Sequence, residues 1–308
     1  MIYYVGECLI DMIAEEVKPS LKEVDGFLKR AGGALANMAV ATSKLGATAY
    51  FVGQVGKDSF GDFLIAELKS YGVRTEYCFQ TKEAKTALAF VSLDEQGERD
   101  FEFYRKNSAD LLLSIDQVSS ISFTKEDLLV FGSVGLVESD LKRSTEYLLK
   151  KAKQAGATIL FDPNIRLNLW DNEENCIETI RNYLFYVDYL KIADNELELI
   201  CSEKNWREYF FDKGIQSIFL TRGELGSSFI SKEEEIHVPA YVVNAIDTTG
   251  AGDSFVGALA TKLQEKSLEE WDKKELLSFC NLCAAITTTR KGAQKACPNL
   301  QVLKNYLH

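Results

Sequence analysis

Proline, histidine and long apolar runs are scarce in this sequence. Four prolines and two histidines occur among 308 residues, and the low proline content argues against a flexible proline-rich tether. No internal repeat or low-complexity tract is apparent. No apolar run reaches the length of a membrane span, so no membrane partner is expected. The first residues lack a basic region and carry an early glutamate, which does not fit a secretory leader.

Positive charge is also in short supply. Lysine and arginine total 35 against 46 aspartates and glutamates, a net charge of −11, and no basic cluster with interleaved aromatics predicts a nucleic-acid partner. An acidic chain can still bind phosphate, because helix termini do so through local dipoles. Seven cysteines, an odd number, predict a reduced, cytoplasmic location. Cys280 and Cys283 form a lone C-x-x-C pair, so no zinc site is expected.

Segments typical of strands alternate with segments typical of helices along almost the whole chain. This alternation predicts an α/β fold of three layers, with a doubly wound, mostly parallel sheet between two layers of helices. We expect residues 3–10 to form the first buried strand, followed by a helix over 34–45 and a strand over 48–55. Two long helices, 251–264 and 271–290, are expected to close the chain.

One region breaks the alternation. Residues 86–93 and 99–105 both have strand composition, and residues 94–97 between them supply turn chemistry. This antiparallel hairpin could be an edge extension of the sheet or a lid over an active site. The lid is favoured, because phosphoryl transfer requires shelter from water. Residues 12–30 are expected to add further lid strands.

The clearest chemical signal is the stretch D-T-T-G-A-G-D-S-F at residues 247–255. Gly250 and Gly252 permit a sharp turn, and the apolar spacing that follows predicts a helix from about Ala251. Unpaired N–H groups at a helix start attract anions. Asp253 places a carboxylate in this turn, where it could take a proton from a hydroxyl during phosphoryl transfer. The alternative is an ordinary loop with an acidic residue in the first helical turn.

Two common phosphate-binding motifs are missing. The chain contains no G-x-x-x-x-G-K-S/T, which excludes a P-loop enzyme. It also lacks G-x-G-x-x-G after its first strand, so a nicotinamide dehydrogenase has little support. Phosphate chemistry is therefore expected at residues 250–253.

This stretch, together with the block A-G-G-A-L-A-N-M-A-V-A-T-S-K-L-G at residues 31–46, resembles the ribokinase-like (PfkB) carbohydrate kinases. The resemblance implies a single ribokinase-like domain over residues 1–308, with a discontinuous β lid from about 12–30 and 86–105. It also implies that ATP and Mg²⁺ are used, that Asp253 is the catalytic base, and that three residues form the anion hole: Gly250, Ala251 and Gly252.

A polyhydroxylated substrate is best bound by carboxylates, amides and backbone groups. Asp11 is expected at the end of the first strand, where ligands of open α/β sheets bind. Gly32 and Gly33 precede the helix that carries Asn37, and one helical turn from Gly33 to Asn37 lets both face one ligand. Alternatively, the glycines form a tight turn and Asn37 is a buried polar group. The resemblance assigns Asp11, Gly33 and Asn37 to sugar hydroxyls.

Cation sites follow from the same resemblance. Asn195 and Glu198 match an N-x-x-E element whose side chains share a helix face, and the resemblance implies that they position hydrated Mg²⁺ and phosphate. The alternative is a solvated helix start. Asp247 and Thr249 fall where relatives bind a monovalent cation such as K⁺, next to the anion hole.

The nucleotide side is expected further along the chain. Thr221 ends a predicted strand and is followed by Gly223 and Gly226, so its hydroxyl and nearby N–H groups could reach phosphates; an ordinary hairpin turn is the alternative. Asn281 resembles part of the adenine-side wall.

Shorter strings that begin at residues 86, 103, 131 and 162 resemble the fructokinases of this family. They imply an ATP-dependent kinase that converts D-fructose to fructose 6-phosphate, with Arg105, Asn164 and Arg166 facing the substrate. Since arginine also binds carboxylates bidentately, 2-keto-3-deoxygluconate kinase stays open. So does a non-catalytic sugar-binding regulator, although a sensor needs no base. The exposed lid hairpin offers an edge for a homodimer.

Overall fold

The computed structural model describes residues 1–16, 18, 20–93, 99–201 and 205–306. Within these residues the strands, in chain order, are β1 (Ile2–Val5), β2 (Leu9–Ala14), β3 (Phe27–Gly32), β4 (Ala49–Gly56), β5 (Arg74–Thr81), β6 (Leu88–Leu93), β7 (Arg99–Tyr104), β8 (Leu128–Gly132), β9 (Thr158–Asp162), β10 (Tyr189–Ala193), β11 (Ser217–Thr221), β12 (Ser227–Ile230) and β13 (Glu235–Val238).

The α-helices of the same residues are α1 (Ala34–Lys44), α2 (Ser59–Ser70), α3 (Ile115–Val118), α4 (Asp140–Ala155), α5 (Glu173–Tyr183), α6 (Asp194–Ile200), α7 (Trp206–Asp212), α8 (Ala251–Glu265), α9 (Lys273–Thr288), α10 (Ala293–Ala296) and α11 (Leu300–Lys304). None of these helices combines the length and apolar character needed to cross a bilayer.

The strands form a large sheet in the order β13-β12-β11-β10-β9-β8-β1-β4-β5. Its strands pair in parallel from β11 to β5, and only the β11–β12 and β12–β13 pairs at one edge are antiparallel. Ile2 and Tyr4 pack with α1, α8 and α9 on one face, while Tyr3 and Val5 pack with α4 and α5 on the other. Burial of both faces explains the continuous apolar strands. The predicted three-layer α/β fold is confirmed.

The prediction of one first strand over residues 3–10 is wrong. β1 ends at Val5 in the large sheet, and β2 begins at Leu9 in a second, small sheet. The chain leaves the large sheet at Gly6, where a Cβ would lie 2.8 Å from Cγ of Leu35 in α1. Apolar residues continue past this break because both sheets bury them, so the sequence pattern does not reveal it. Asp11 therefore lies within β2, not at the end of a large-sheet strand.

The small sheet has the order β3-β2-β6-β7. β6 and β7 form the predicted antiparallel hairpin, although the predicted turn at residues 94–97 lies outside the described residues. β2 pairs antiparallel with β3 and parallel with β6. The small sheet is therefore assembled from two separate stretches of the chain, on either side of α1 and β4.

Candidate active site

A cavity of about 700 Å³ lies between the carboxyl ends of the large-sheet strands and the small sheet. Asp162 at the end of β9 and Lys191 in β10 line it from the large sheet, and Asp11 and Phe103 line it from the small sheet. The carboxyl ends of parallel strands are where open α/β sheets bind ligands. The small sheet covers this edge, so a ligand in the cavity would contact both sheets.

Helix α8 begins at Ala251, as predicted, and its start faces the cavity. Gly250 has φ of 79°, and a Cβ on it would lie 2.7 Å from Cβ of Ala293, so only glycine fits both the backbone and the space. Asp253 lies in the first turn and accepts a hydrogen bond from Nδ2 of Asn37 at 2.8 Å. The helix start thus presents N–H groups for an anion beside a carboxylate.

The pKa of Asp253 is raised, because burial disfavours the ionised carboxylate. The hydrogen bond from Asn37 and the charges of Arg166 and Lys191 oppose this rise. A carboxylate with a raised pKa is a stronger base than an exposed aspartate. The environment therefore suits Asp253 to accept a proton next to an anion site.

Three of the predicted sugar residues, Asp11, Gly33 and Asn37, line the same cavity. Gly33 has φ of 99°, and its carbonyl accepts the backbone N–H of Asn37 at 2.9 Å, one helical turn on. Asn37 is buried, and its Oδ1 has no hydrogen-bond partner among the described residues. The carboxylate of Asp11 lies against Gly32, where a Cβ would be 2.1 Å from Oδ2. Gly32 itself does not line the cavity.

Asn164 and Arg166 follow β9 and also line the cavity. Asn164 has φ of 41°, a left-handed conformation that is uncommon outside glycine. Such conformations concentrate at functional sites. Asn164 and Arg166, both from the string that begins at residue 162, thus line the same cavity as Asp253.

A buried lysine that the sequence analysis missed lies at the centre of this arrangement. Lys191 donates to Oδ1 of Asp162 at 3.1 Å, and its Nζ lies 3.4 Å from the position of a Cβ on Gly252. Burial alone would lower the pKa of Lys191, but the carboxylates of Asp162 and Glu196 outweigh it and the pKa is raised. Lys191 is therefore a fixed cation beside the start of α8. A charged residue inside the apolar strand Y-L-K-I-A was the available signal.

The pKa of the partner carboxylate, that of Asp162, is also raised, but here burial is the main cause. Burial raises the pKa of Asp162 to about 7, against the opposing charge of Lys191 and with further upward contributions from Glu196 and Asp253. Asp162, Glu196 and Asp253 thus line one cavity together with the buried Lys191. Such clustering of perturbed groups in a cleft is typical of active sites.

Glu198 does not reach the cavity, and this part of the predicted Mg²⁺ element is wrong. Glu198 is exposed, whereas Glu196 is buried and lines the cavity beside Asn195. The carboxylate of Glu196 accepts the N–H groups of Ile165 at 2.7 Å and Ala193 at 3.0 Å. Side chains two positions apart on an α-helix point in directions about 200° apart, so Glu196 and Glu198 face opposite ways.

Residues 1–300 of this chain match a family model that is described as "pfkB family carbohydrate kinase". The chain belongs to that family. The predicted resemblance is therefore confirmed, and it covers nearly the full length.

Individual relatives of this carbohydrate kinase agree. The probable fructokinase-5 of Arabidopsis thaliana is 41% identical over 307 residues, which cover 97% of this chain and 94% of the relative. A fructokinase of Xylella fastidiosa with bound ATP has a TM-score of 0.87 and 31% identity, covering 99% and 97% of the two chains. A double mutant of the Vibrio cholerae O395 fructokinase, with fructose, ADP and potassium bound, has a TM-score of 0.90 and 29% identity, covering 100% and 98%. The predicted ribokinase-like fold is thus confirmed.

Arg105 of the kinase lies beneath the cavity and does not line it. It follows β7, is buried, and its Nε donates to Oδ2 of Asp110 at 2.7 Å. Its Nη1 donates to the carbonyl of Val134 at 3.0 Å. The sequence predicts that Arg105 faces the substrate, but Arg105 is not among the residues that line the cavity, and its Nε and Nη1 are bonded to Asp110 and Val134.

The predicted cation loop of the kinase is held by its own hydrogen bonds. Oδ1 of Asp247 accepts the N–H of Thr249 at 2.9 Å and its hydroxyl at 2.6 Å, and Oδ2 accepts the N–H of Gly292 at 2.9 Å. Both Asp247 and Thr249 line the cavity. No group of three His, Cys, Asp or Glu side chains able to hold a metal occurs among the residues that the structure describes.

Of the five predicted nucleotide residues, only Asn195 lines the cavity, and the other four lie outside its lining. Gly226 has φ of 93° and no room for a Cβ, which would lie 2.2 Å from the carbonyl of Val238. Asn281 is buried and bonds to Ser227 and to the carbonyl of Val238 at 2.8 and 3.1 Å, so its amide supports β12 and β13. Thr221 is the last residue of β11, and Gly223 lies in the turn that follows this strand.

Proposed function

We propose that this carbohydrate kinase transfers the γ-phosphoryl group of ATP to a primary hydroxyl of D-fructose and releases fructose 6-phosphate. The observation that carries this proposal is the 2.8 Å hydrogen bond between Asn37 and Asp253. It joins a side chain suited to sugar hydroxyls to a carboxylate at an anion-binding helix start. The relatives named above are fructokinases, and one of them binds fructose and ADP.

Asp253 is the base in this proposal. It accepts the proton of the attacking hydroxyl, and its raised pKa favours that step. In a loose phosphoryl-transfer transition state the nucleophile loses its proton late, so a carboxylate suffices. The N–H groups at Gly250, Ala251 and Gly252 stabilise the charge that spreads over the phosphoryl oxygens. Lys191 adds a fixed positive charge at the same place.

Asp11, Gly33 and Asn37 bind the sugar hydroxyls, together with Asn164 and Arg166. This set supplies a carboxylate, two amides and backbone groups, which suits hydroxyls that both donate and accept. We assign Arg105 no direct contact, because its guanidinium is used beneath the cavity.

The donor chemistry near the phosphate site fits Mg²⁺, which prefers oxygen ligands and keeps several waters. Glu196 and Asn195 offer oxygens, but both carboxylate oxygens of Glu196 already accept N–H groups. We therefore assign them to water-mediated contact. Mg²⁺ bound with ATP supplies charge neutralisation on the phosphates. Residues Asp247 and Thr249 are assigned to a monovalent cation such as K⁺, because Asp247 shapes a turn beside the anion hole.

ATP would lie along the carboxyl edge from Gly250 towards the turn after β11, where Thr221, Gly223 and Gly226 border the phosphates. Leu225 and Ile246 are exposed apolar side chains, 62% and 60% accessible, and they would cover the adenine near Asn281.

We further propose that residues 1–308 form one kinase domain and that the small sheet, from about 12–30 and 86–105, is its lid. Leu28 and Tyr104 on the lid are 43% and 58% exposed, which supports a homodimer through this sheet. A cytoplasmic location is supported by the cysteines, all seven of which are described and carry free thiols.

The experiment that tests the function is sugar-dependent release of ADP with ATP and Mg²⁺. The panel is fructose, ribose, 2-keto-3-deoxygluconate and adenosine, with Asp253→Asn as the inactive control. Fructose is expected to give the highest kcat/KM, and NMR of the product should place the phosphate on C6. Preference for 2-keto-3-deoxygluconate would show that this sugar acid, and not fructose, is the substrate. Release of ADP with none of the four would favour a regulator.

A further inference from the structure

Glu7 occupies the connection between β1 and β2, where the chain passes from the large sheet to the small sheet. It is 2% exposed and lines the cavity. Buried glutamates are rare unless they are paired or hydrogen-bonded. The proposed reaction leaves Glu7 without a role, so its contacts need a separate explanation.

The contacts of Glu7 hold the start of α1 from two sides. Its Oε1 accepts the N–H of Ala34 at 2.7 Å, and its carbonyl packs so closely on Gly33 that a Cβ there would lie 2.4 Å away. Gly33 has no side chain to cap the helix, so Glu7 supplies from outside an acceptor that a capping residue would normally provide. The orientation of the sugar-binding turn thus depends on Glu7.

The first turn of α1 also connects to Asp253, the proposed base. The N–H of Asn37 donates to the carbonyl of Gly33 at 2.9 Å, and the side chain of Asn37 donates to Asp253 at 2.8 Å. Three hydrogen bonds and one helical turn therefore connect Glu7 to Asp253. Displacement of Ala34 would be transmitted to the carboxylate, because the first turn of a helix moves with its N-terminus.

The charge of Arg105, which follows β7 where the chain returns from the small sheet, acts on the carboxylate of Glu7. Among the described residues, Oε2 of Glu7 and Nη2 of Arg105 are both buried without a hydrogen-bond partner. Burial raises the pKa of Glu7, and the charge of Arg105 opposes that rise. Arg105 is itself held by Asp110 and Val134. Glu7 lies on one connection between the sheets and Arg105 on the other, and both belong, with Asp110, to one group of buried charged side chains.

We propose that Glu7 is a positioning residue: through Ala34 and Asn37 it aligns the sugar-binding turn and Asp253 with the connection between the two sheets. This inference rests on the proposed roles of Gly33, Asn37 and Asp253. Glu7 contacts no reacting atom in it. Its removal should therefore impair sugar use and turnover while leaving nucleotide binding intact.

The test compares Glu7→Ala with Glu7→Gln in steady-state assays with fructose and ATP. Glu7→Ala removes the acceptor for Ala34, so kcat/KM for fructose should fall about ten- to a hundredfold while KM for ATP stays within about twofold. Glu7→Gln keeps an acceptor at the same reach and should recover to within about threefold of the wild type. If the wild-type kinase does not use fructose, the proposed function fails and the positioning role is tested on the sugar that it does use.

Asp127→Asn is the matched control. Asp127 is another buried carboxylate that accepts a backbone N–H, that of Thr124 at 2.7 Å, but it precedes β8 at the far end of the sheet. It should lose stability without changing either KM. The inference is overturned if Glu7→Ala raises both KM values alike, if it matches the control, or if Glu7→Gln is no better than Glu7→Ala. Should Glu7→Ala not fold, Glu7→Asp takes its place, because the shorter side chain cannot reach Ala34.

Discussion

The proposed phosphate end and the proposed sugar end of the cavity are built in different ways. The proposed phosphate end is built mainly on one continuous stretch, residues 247–253, and relies on main-chain N–H groups at the start of α8. The sugar end takes Asp11 from β2, Asn37 from α1 and Arg166 from the segment after β9. A main-chain site tolerates change in its surroundings, whereas a site of converging side chains depends on the packing of several elements.

The two ends also differ in charge. Lys191 lies against Gly252 at the proposed phosphate end, where negative charge would accumulate during transfer. Asp11 and Glu7 give the sugar end a carboxylate character. Asp253 lies between the two ends and is bonded to the sugar side through Asn37. Variants at each end should consequently separate effects on ATP from effects on the sugar.

The largest expected effect is that of Asp253→Asn, at the junction of the two ends. Asparagine keeps the shape but cannot accept a proton at neutral pH. We expect kcat to fall by about two orders of magnitude or more, with fructose binding retained. Steady-state kinetics and calorimetric titration with fructose check both parts. Near-normal turnover in this variant would remove Asp253 as the base.

Gly250→Ala changes only the proposed phosphate end of the cavity. The new Cβ would lie 2.7 Å from Cβ of Ala293, in a backbone with φ of 79°. We expect kcat/KM for ATP to fall about tenfold or more, because the N–H groups move out of line.

The control for this variant is Gly156→Ala at the end of α4, with φ of 73° and no atom closer than 3.8 Å to the added Cβ. Both variants should lose about 1–2 kcal/mol of stability from left-handed backbone strain. Only Gly250→Ala should lose activity. Equal activity of the two alanine variants would show that the turn is not the phosphate site.

Lys191→Met tests whether the buried cation serves the phosphate end. KM for ATP should rise about tenfold, the loss expected for one charge-assisted contact, with a smaller change for fructose. The charge of Lys191 holds the pKa of Asp253 below the value that burial alone would set. Its removal should raise that pKa further, so the acidic limb of the kcat profile should move to higher pH. A limb that moves to lower pH would contradict this sign.

The smallest expected effects distinguish two neighbouring glutamates. Glu196→Gln removes a buried charge beside Lys191 and should lower kcat several-fold. Glu198→Gln alters an exposed side chain on the other face of α6 and should leave the kinetics within about twofold of the wild type, the range of an ordinary surface change. Titration of activity with Mg²⁺ in both variants is the measurement. A greater Mg²⁺ requirement in Glu198→Gln than in Glu196→Gln would restore the N-x-x-E element.

Prediction from sequence succeeded where a local pattern was sufficient and failed where two elements had to be placed together. The starts of α1 and α8 were found within one residue, because glycine and apolar spacing mark them. The break at Gly6 was missed because apolar residues continue through both sheets. The resemblance assigns Glu198 to the Mg²⁺ element, but helix direction decides which glutamate faces the cavity, and that residue is Glu196.

By itself, the amino-acid sequence determined the α/β class, the family and the glycine turn with its carboxylate. These depend on contacts between residues close in the chain, which periodicity and motif spacing record. Only the tertiary structure decided that Glu7, Asn37, Lys191 and Asp253 share one cavity and that Arg105 lies beneath it. These residues are far apart in sequence, and strand order and the crossing between the two sheets bring them together. No local pattern encodes that order, because it is set by the packing of the whole core.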